Sequence, residues 1–419
     1  MKILVIGSGG REHAIVSKLA ESSRVDKLYC APGNGGIAEL AECVAISADD
    51  VEGLRDFAVS SGIDLTVVGP EVPLSLGIAD SFENRGLRIF GPCRRGAMLE
   101  SSKAFSKDFM IRNKIPTAAY KVYYEPEKAK QEIDSFGYPA VIKADGLAAG
   151  KGVIIAQSRE EAVAAIDDML MAKKFGEAGS RIVVEEFLTG YEASILAFVD
   201  GRTAVPMVSA QDYKRALDND GGLNTGGMGA VSPAFHYDAE TAAVVEEEII
   251  RRTVDALNAE DIKYKGILYF GIMITKNGPK LLEYNARFGD PETEVVLPRL
   301  KSDLVEIMDA VIDEKLDTLK IQWKEEQAVC VVMASGGYPG HFEKGFEIKG
   351  PEKASQESGV KVFHAGTKKA EDKIVTAGGR VLVVSALAES HEQAREKAYR
   401  AIDRIAFEKA HYRSDIGKK

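Results

Sequence analysis

Short apolar runs alternate with an amphipathic stretch along the first part of the chain. Residues 2–6, 27–30, 65–68 and 88–90 are apolar runs that predict buried β-strands, and the periodicity of residues 12–20 predicts a helix. Strands that alternate with helices form a parallel sheet with helices on both faces. Ligands of such sheets bind beyond the carboxyl ends of the strands.

Glycine-rich turns follow three of these strands, at residues 7–10, 32–36 and 69–70. The first turn opens a helix, where free backbone N–H groups favour an anion. It is not a dinucleotide fingerprint, because Glu12 takes the third glycine position and no acid closes the second strand. Arg11 and His13 favour a phosphate ligand, and the alternative is a tight turn that uses glycine for conformation only.

A small α+β unit is predicted after a helix at residues 94–113. Its elements are strands at 139–143, 152–156 and 181–186 and a helix at 160–171. The connection 144–151 resembles a P-loop but has one residue too few between its glycines and lacks the Ser or Thr. With Lys143 and Lys151 near its ends, the loop could close over phosphates as part of a lid. The alternative is a hairpin loop with solvated lysines.

A second group of strands and a C-terminal part complete the pattern. The predicted strands are 192–199, 205–209, 265–274, 279–285, 328–333 and 380–385, and a final helix is predicted at 392–405. Residues 210–232 form a polar, glycine-rich loop, and loops of that length are usually functional or disordered. The predicted domains are residues 1–103, residues 104–325 with a lid at about 118–188, and residues 326–419.

Composition narrows the class of protein. A chain of 419 residues is too long for one ordinary core. Its net charge of -10 argues against nucleic-acid binding, which needs basic patches. Four well-separated cysteines favour a reducing cytosol over a disulfide framework. We expect neither a signal peptide nor a membrane span, and therefore a cytoplasmic protein.

Residues 281–292 carry the strongest chemical signal. An apolar strand ends with Glu283 and Asn285, and Arg287 follows two residues later. Strand side chains alternate between faces, so these three groups should point the same way. Two hard oxygen ligands beside a guanidinium suit Mg²⁺ with a nucleotide's phosphates. The alternatives are a solvated polar face, or an Arg287 that pairs with a structural acid such as Asp290 or Glu292.

Three further segments carry candidate binding groups, at residues 183–188, 210–215 and 224–229. The first ends a buried strand with two acids, which could take a ribose while backbone groups pair with a purine; an ordinary strand end is the alternative. Glycines in the third allow a close approach of backbone to ligand. A disordered surface loop is the alternative for residues 216–222, but it fits residues 226–229 poorly because the apolar Ala230 and Val231 follow. The six histidines show no zinc-binding spacing, and no G-x-S-x-G element is present.

Together these residues closely resemble the glycinamide ribonucleotide synthetase (phosphoribosylamine–glycine ligase) family of the ATP-grasp superfamily, along essentially the whole chain. The motifs that carry the resemblance are 7–14, 32–34, 69–71, 102–105, 143–152, 185–187, 211–212, 224–229, 283–291, 364–367 and 378–381. The resemblance implies an α/β and α+β multidomain fold. It has an N-terminal Rossmann-like parallel-sheet domain, an ATP-grasp domain with a small lid subdomain, and a small C-terminal α+β domain.

The resemblance also implies the reaction and its ligands. ATP phosphorylates the carboxylate of glycine, and the amine of 5-phosphoribosylamine then attacks the acyl phosphate. The products are glycinamide ribonucleotide, ADP and phosphate, in de novo purine biosynthesis. No side-chain nucleophile is needed, which agrees with the absence of a Ser or Cys catalytic triad from the sequence. Mg²⁺ or Mn²⁺ is the expected metal, and we expect a monomer that binds neither nucleic acid nor membrane.

Site residues follow from the resemblance, position by position. The implied metal ligands are Glu283 and Asn285, and the implied catalytic residues are Arg287, Asp212 and Lys214. The implied ATP-binding residues are Lys103, Lys143, Lys151, Glu185, Glu186, Phe187, Leu188 and Glu192. The implied substrate-binding residues are Gly9, Gly10, Arg11, His13, Asn34, Pro70, Glu71, Gly226, Gly227, Met228 and Gly229.

Two other functions stay open at this point. One is another ATP-grasp carboxylate–amine ligase of purine synthesis; Asp212 and the loop 224–229 argue against it because they suit an amino-acid substrate. The other is a catalytically silent nucleotide-binding protein. The intact set of residues that argues against it is Lys143, Glu283, Asn285 and Arg287.

Overall fold

The N-terminal part of the chain folds into the predicted parallel sheet in the computed structural model, which describes residues 1–147, 152–172 and 179–419. The strands are β1 Lys2–Gly7, β2 Lys27–Pro32, β3 Glu42–Cys43, β4 Leu65–Val68 and β5 Ile89–Phe90. They lie in the order β3-β2-β1-β4-β5. Ile3 and Val5 pack on one face and Leu4 and Ile6 on the other, so both faces are buried, as the continuous apolar pattern of β1 requires.

Helices cover this sheet and lead into the next domain. They are α1 Gly10–Leu19, α2 Val51–Ser61, α3 Glu71–Ser75, α4 Ile78–Glu83, α5 Arg94–Ser101 and α6 Lys103–Arg112. The single helix predicted at 94–113 is wrong, because Ser102 is extended (φ -138°, ψ 109°) and separates α5 from α6. The Ser102 hydroxyl accepts the N–H of Phe105 at 3.1 Å and so caps α6. The break puts Lys103 at the start of a helix.

The lid is a four-stranded antiparallel sheet with its own helices. Its elements are β6 Tyr120–Tyr123, α7 Pro126–Glu132, β7 Ala140–Ala144, β8 Val153–Ala156, α8 Arg159–Ile166 and β9 Ile182–Glu186. The strands lie in the order β6-β9-β7-β8, and a π-helical turn, Asp167–Met171, extends α8. Buried residues such as Tyr123, Ile142 and Val184 form a hydrophobic core that belongs to the lid alone.

The central sheet supplies the scaffold between the lid and the C-terminal domain. The elements of this part are β10 Tyr191–Val199, β11 Ala204–Pro206, β12 Gln211–Asp212, β13 Arg215–Leu217, β14 Gly221–Asn224, β15 Gly229–Ser232, α9 Ala239–Val245, α10 Arg252–Ala259, β16 Gly266–Thr275 and β17 Gly278–Asn285. β11, β10, β16 and β17 form one antiparallel sheet. The π-helical stretch Glu246–Arg251 joins α9 to α10.

The C-terminal part forms a sheet that reaches back into residues 211–232. Its elements are α11 Thr293–Val296, α12 Leu304–Ile312, β18 Gln327–Ser335, α13 Pro351–Ala354, β19 Val360–His364, β20 Thr367–Ala370, β21 Lys373–Thr376, β22 Arg380–Ala388, α14 His391–Ile402 and β23 Ala410–His411. The strand order is β12-β15-β18-β22-β19, with β23 also paired to β18. The expectation of an irregular loop at 210–232 is therefore wrong: β12 and β15 join this sheet, and β13 and β14 form a hairpin.

Shared cores fix the N-terminal, central and C-terminal sheets to one another. One core contains Ile3 of the N-terminal sheet, Phe198 of the central sheet, Val305 of α12 and Val332 of the C-terminal sheet. A second core joins the other face of the N-terminal sheet to α10 and β16. Burial of this apolar area holds the three sheets in a fixed arrangement, whereas the lid packs around a separate core. No helix in the described ranges is long and apolar enough to cross a membrane.

Candidate active site

The end of β17 presents the polar side chains that were predicted to share one face. Glu283 and Asn285 lie opposite Gly271 and Tyr269 of β16. Nη2 of Arg287 donates to Oδ1 of Asn285 at 3.1 Å, so these two side chains do meet. Within the described ranges, the carboxylate of Glu283 takes part in no hydrogen bond or ion pair. Glu283 therefore offers both oxygens to a ligand.

The donor atoms at this strand end fit a divalent cation. A free carboxylate beside a carboxamide oxygen is a hard ligand set. In the part of the chain that the structure describes, no three His, Cys, Asp or Glu side chains are grouped to hold a metal ion. A metal ion bound by Glu283 and Asn285 would complete its coordination with oxygens of a bound ligand and of water, as Mg²⁺ usually does.

Arg287 is held by two carboxylates from distant parts of the chain. Its Nη2 lies 2.8 Å from Oε1 of Glu100, and its Nε lies 3.5 Å from Oε2 of Glu71. Oε2 of Glu100 also accepts the backbone N–H of Ala286 at 2.7 Å. Burial opposes the charge of Arg287, but the carboxylates outweigh it and raise its pKa. Glu100 was not predicted, because no local pattern marks an acid on α5 as the partner of an arginine after β17.

Two lysines share one buried carboxylate beside the lid. Nζ of Lys143 lies 2.8 Å from Oε1 of Glu185, and Nζ of Lys107 lies 2.8 Å from Oε2. Burial lowers the pKa of Lys107 to about 8, although Glu185 acts in the opposite direction. Lys107 was not predicted as a site residue. The signal for it in the sequence is its position four residues, about one helical turn, after Lys103 on α6. Lys151, the other predicted lysine of this region, lies outside the described residues.

Asp145 ties the lid to the start of α6. Its Oδ1 accepts the backbone N–H of Ala104 at 2.6 Å, and its Oδ2 accepts Nε–H of Arg181 at 2.8 Å. Nζ of Lys103 donates to the carbonyl of Gly146 at 3.1 Å. Burial lowers the pKa of Lys103, although the charge of Glu283 opposes the shift. This contact places Lys103 between the lid and the end of β17.

The segment after β9 connects the lid to the central sheet and leaves groups open to a ligand. Oε1 of Glu186 accepts the N–H of Ala119 and Nζ of Lys280, both at 3.0 Å. Phe187 is 37% exposed and Leu188 is half-buried. The side chain of Glu186 is therefore used to fix the segment, while its neighbours remain accessible.

Asp212, Lys214 and Glu192 form a charged cluster close enough to Glu283 for its charge to act on Asp212 and Lys214. Lys214 forms an ion pair with Glu192, and its Nζ lies 4.0 Å from Oδ1 of Asp212. The Asp212 side chain is only 10% exposed. Burial raises its pKa to about 7, the charges of Glu292, Glu192 and Glu283 add to the rise, and Lys214 opposes it. A cationic ligand beside Asp212 would favour its ionised form.

Glu292 lies behind this cluster and is bound to the central sheet. Its Oε1 accepts hydrogen bonds from the hydroxyls of Ser194 at 2.9 Å and Tyr269 at 3.0 Å. These two hydroxyl oxygens are 2.8 Å apart. Glu292 therefore pairs with hydroxyl groups rather than with Arg287, contrary to one of the alternatives for that arginine.

The carboxylate of Glu12 occupies the turn between β1 and α1. Oε1 of Glu12 accepts Nε–H of Arg11 at 2.6 Å, and Oε2 accepts the N–H of Gly9. A Cβ at Gly69 would lie 2.1 Å from Oε1 of Glu12, and one at Gly7 would lie 2.5 Å from its Cγ. These glycines make room for the carboxylate. Because Glu12 already occupies the N-terminus of α1, the turn does not bind a dinucleotide's phosphates there.

Arg11 joins the N-terminal sheet to the segment after β17. Its Nη1 donates to the carbonyl of Phe288 at 3.2 Å. The carboxylate of Glu71, directly after Pro70, interacts electrostatically with both Arg287 and Arg11. Burial alone would raise the pKa of Glu71, but the two guanidinium groups hold it below its usual range. The fold thus brings the predicted substrate turn and the predicted catalytic arginine together.

His13 and Asn34 connect the N-terminal sheet to the C-terminal domain. Nδ1 of His13 accepts the backbone N–H of His364 at 2.8 Å. Burial lowers the pKa of His13 to about 3, so the ring is neutral and cannot offer a charge. Nδ2 of Asn34 donates to the carbonyls of Ser8 at 2.9 Å and His364 at 2.7 Å, and Oδ1 accepts two N–H groups of its own turn. Substrate binding by these two side chains stays a prediction.

The predicted substrate-binding glycines are divided between a loop and a strand. The carbonyl of Gly226 accepts Nη1–H of Arg380, and the N–H of Gly226 donates to the hydroxyl of Tyr338 at 3.1 Å. Met228 is fully buried, and Gly229 belongs to β15. Gly226 is therefore held by the C-terminal residues Arg380 and Tyr338, while Met228 is buried and Gly229 is part of the C-terminal sheet.

Comparison with known protein families matches three consecutive parts of the chain. Residues 1–100 match the N domain of phosphoribosylglycinamide synthetase, residues 101–293 match its ATP-grasp (A) domain, and residues 328–419 match its C domain. The likeness therefore covers most of the chain with one family.

Relatives and solved structures agree with this match. The chain is 52% identical over 416 residues to a phosphoribosylamine–glycine ligase of Caldanaerobacter subterraneus subsp. tengcongensis, covering 99% of each chain. It is 50% identical to the enzyme of that name from Halalkalibacterium halodurans, covering 100% of this chain and 97% of that one. The crystal structure of the Thermotoga maritima phosphoribosylamine–glycine ligase superimposes with a TM-score of 0.86 at 35% identity, covering 99% of this chain and 100% of the other. A biotin carboxylase from Campylobacter jejuni shares only the fold, with a TM-score of 0.72 at 15% identity, covering 98% and 92%.

Proposed function

This chain belongs to the phosphoribosylglycinamide synthetase family and is an ATP-dependent ligase of purine biosynthesis, and we propose that the site at the end of β17 joins glycine to 5-phosphoribosylamine. One observation carries the assignment of the site. The carboxylate of Glu283 has no partner in the described ranges, and its charge acts both on Lys103 and on Asp212. A metal-bound triphosphate and an amino acid would meet there.

The reaction needs positioning and charge neutralisation rather than a side-chain nucleophile. A carboxylate oxygen of glycine attacks the γ-phosphorus of ATP, and ADP leaves. The amine of phosphoribosylamine then attacks the carbonyl carbon of glycyl phosphate, and phosphate leaves. A divalent ion, Mg²⁺ or Mn²⁺, held by Glu283 and Asn285 would neutralise phosphate charge. Arg287, fixed by Glu100, holds the glycine carboxylate at the position where the acyl phosphate forms.

Each substrate has a separate part of the site in this proposal. Lys103 and Lys143 bind ATP phosphates, and the segment from Glu186 to Glu192 binds the adenosine. Asp212 takes the ammonium group of glycine, with Lys214 beside it. The turn that carries Arg11, together with Glu71, binds the phosphoribosylamine. We further propose the domain limits 1–103, 104–325 and 326–419 for a monomer that acts in the cytoplasm.

The experiment that tests the function is an assay of ADP release with each substrate omitted in turn. The purified chain with ATP and Mg²⁺ should release ADP only when glycine is present, and it should form glycinamide ribonucleotide only when phosphoribosylamine is present as well. ADP release that depends on another carboxylate would indicate a different ligase of the superfamily. No release with any substrate, despite ATP binding, would indicate a silent nucleotide-binding protein.

Arg11 and Asp212 should affect different substrates. Arg11→Ala removes a positive charge from the turn that is proposed to bind phosphoribosylamine, and we expect the apparent KM for phosphoribosylamine to rise about tenfold or more with little change for glycine. Asp212→Asn should raise the KM for glycine instead, because an amide pairs weakly with an ammonium. Steady-state kinetics with each substrate varied will check both. Since Arg11 also pairs with Glu12, a melting curve must accompany the data, and the two-site map fails if both variants weaken one substrate alone.

The activity should depend on pH through Asp212. Only the ionised carboxylate holds an ammonium, and its pKa is raised to about 7 by burial and neighbouring acids. As pH falls from 8 to 6, kcat/KM for glycine should therefore decrease, by about tenfold per unit below the pKa. The profile of Asp212→Asn should be flat over this range at a low value. An unchanged slope in the variant would assign the titration to another group.

A further inference from the structure

Asp290 lies between the turn before α1, which is proposed to bind phosphoribosylamine, and the loop that contains Gly226. Its Oδ1 is 3.0 Å from Nη1 of Arg380, and that nitrogen also donates to the carbonyl of Gly226. Within the described ranges, Oδ2 has no hydrogen-bond partner. A Cβ at Gly9 would lie 3.5 Å from Oδ2, so this oxygen faces the turn before α1. In the sequence, Asp290 stood out only as an alternative partner of Arg287, and the structure pairs it with Arg380 instead.

We propose that Asp290 is the general base of amide formation, an inference that rests on the proposed function. As the amine of phosphoribosylamine attacks the carbonyl carbon of glycyl phosphate, a C–N bond forms and the bond from that carbon to the phosphate oxygen breaks. Phosphate leaves with the electron pair of the broken bond. The amine nitrogen gives one proton to Oδ2 of Asp290, which then releases it to water. A carboxylate positioned in this way typically accelerates such a step by about 10²–10⁴-fold.

The surroundings of Asp290 favour it over the other groups near the turn. The two oxygens of Glu12 are occupied by Arg11 and by the N–H of Gly9. Glu294 is fully buried, and burial raises its pKa well above the usual range, so it is not accessible to a substrate amine. Asp290 keeps a side-chain exposure of 17% and one free oxygen.

Arg380 fixes the orientation of this base. Its guanidinium donates to the backbone carbonyl of Asp290 at 3.0 Å as well as to the side chain. It also donates to the carbonyl of Gly226. Arg380 is therefore a positioning residue, through which the C-terminal sheet holds Asp290 between the two substrates.

The test separates the two half-reactions. Hydroxylamine traps glycyl phosphate as glycine hydroxamate, which measures phosphoryl transfer without phosphoribosylamine. Glycinamide ribonucleotide formation, with phosphoribosylamine generated from ribose 5-phosphate and ammonia, measures the whole reaction. For Asp290→Asn we expect hydroxamate formation within about threefold of the unmodified chain and ribonucleotide formation lower by about a hundredfold or more. Asp290→Glu restores a carboxylate and should recover part of the lost rate.

A matched variant and two outcomes decide the result. Glu294→Gln changes a fully buried acid four residues away and should leave both rates within about threefold. If Asp290→Asn lowers both rates equally together with the melting temperature, or leaves ribonucleotide formation unchanged, Asp290 is not the base. A failure of the unmodified chain to form any hydroxamate would instead overturn the proposed function itself.

Discussion

Glu283→Gln is expected to lower turnover by roughly a hundredfold or more at a fixed Mg²⁺ concentration. The change keeps the shape of the side chain but replaces an anionic oxygen ligand by a neutral one. Since Glu283 has no hydrogen bond or ion pair in the part of the chain that the structure describes, the substitution should leave the fold intact. The loss should therefore be one of metal affinity, and raised metal concentrations should recover part of it.

The measurement is a titration of turnover with Mg²⁺, accompanied by a melting curve. Glu240→Gln, at an exposed position in the first turn of α9, is the control for a loss of one negative charge, and it should behave as the unmodified chain. Normal turnover of Glu283→Gln at low Mg²⁺ would show that this carboxylate does not hold the metal.

Arg287→Lys should cost about 3 kcal/mol of transition-state stabilisation, or about a hundredfold in kcat. A planar guanidinium can hold two oxygens at once while Glu100 and Glu71 fix its orientation. Lysine keeps the positive charge but lacks the planar pair of N–H donors with which a guanidinium holds two oxygens. Because the extra charge forms only with the acyl phosphate, kcat should fall at least as much as the glycine KM rises.

A structural role for Arg287 predicts a different result. If its pair with Glu100 only supported the fold, Arg287→Lys would mainly lower the melting temperature and leave kcat within about threefold. Arg88→Lys is the matched control. Arg88 also pairs with two acids, Asp309 and Asp313, and it lies directly before β5, where no role in the reaction is proposed. Kinetics and melting curves on the same preparations distinguish the two roles.

Local patterns predicted the strands that lie in the interior and the chemistry that lies within one segment. β1 was predicted because its apolar residues are continuous, and Glu283, Asn285 and Arg287 because they stand two residues apart at the end of β17. Information of this kind is contained in the neighbouring residues, so it can be read without the fold.

Features that depend on distant residues escaped prediction. β12 and β15 are short, and they are strands only because β15 pairs with β18 and β12 pairs with β15. Ser102 breaks a stretch that is otherwise helical, because its side chain caps α6. Glu100 reaches Arg287 from another domain, as Arg380 reaches Asp290. Each of these contacts requires the tertiary structure to exist first.

The pairing of β15 with β18 limits which truncated fragments of the chain can fold. The acid proposed to hold glycine, Asp212, sits on β12, the outermost strand of a sheet whose other strands come mostly from the last third of the chain. A fragment cut before β18 would leave β15 with a bare hydrogen-bonding edge, of the kind that recruits other chains. The glycine pocket and the C-terminal sheet are thus one physical building block, although they are far apart in sequence, and the catalytic half cannot be dissected away from the C-terminal sheet as an independent module.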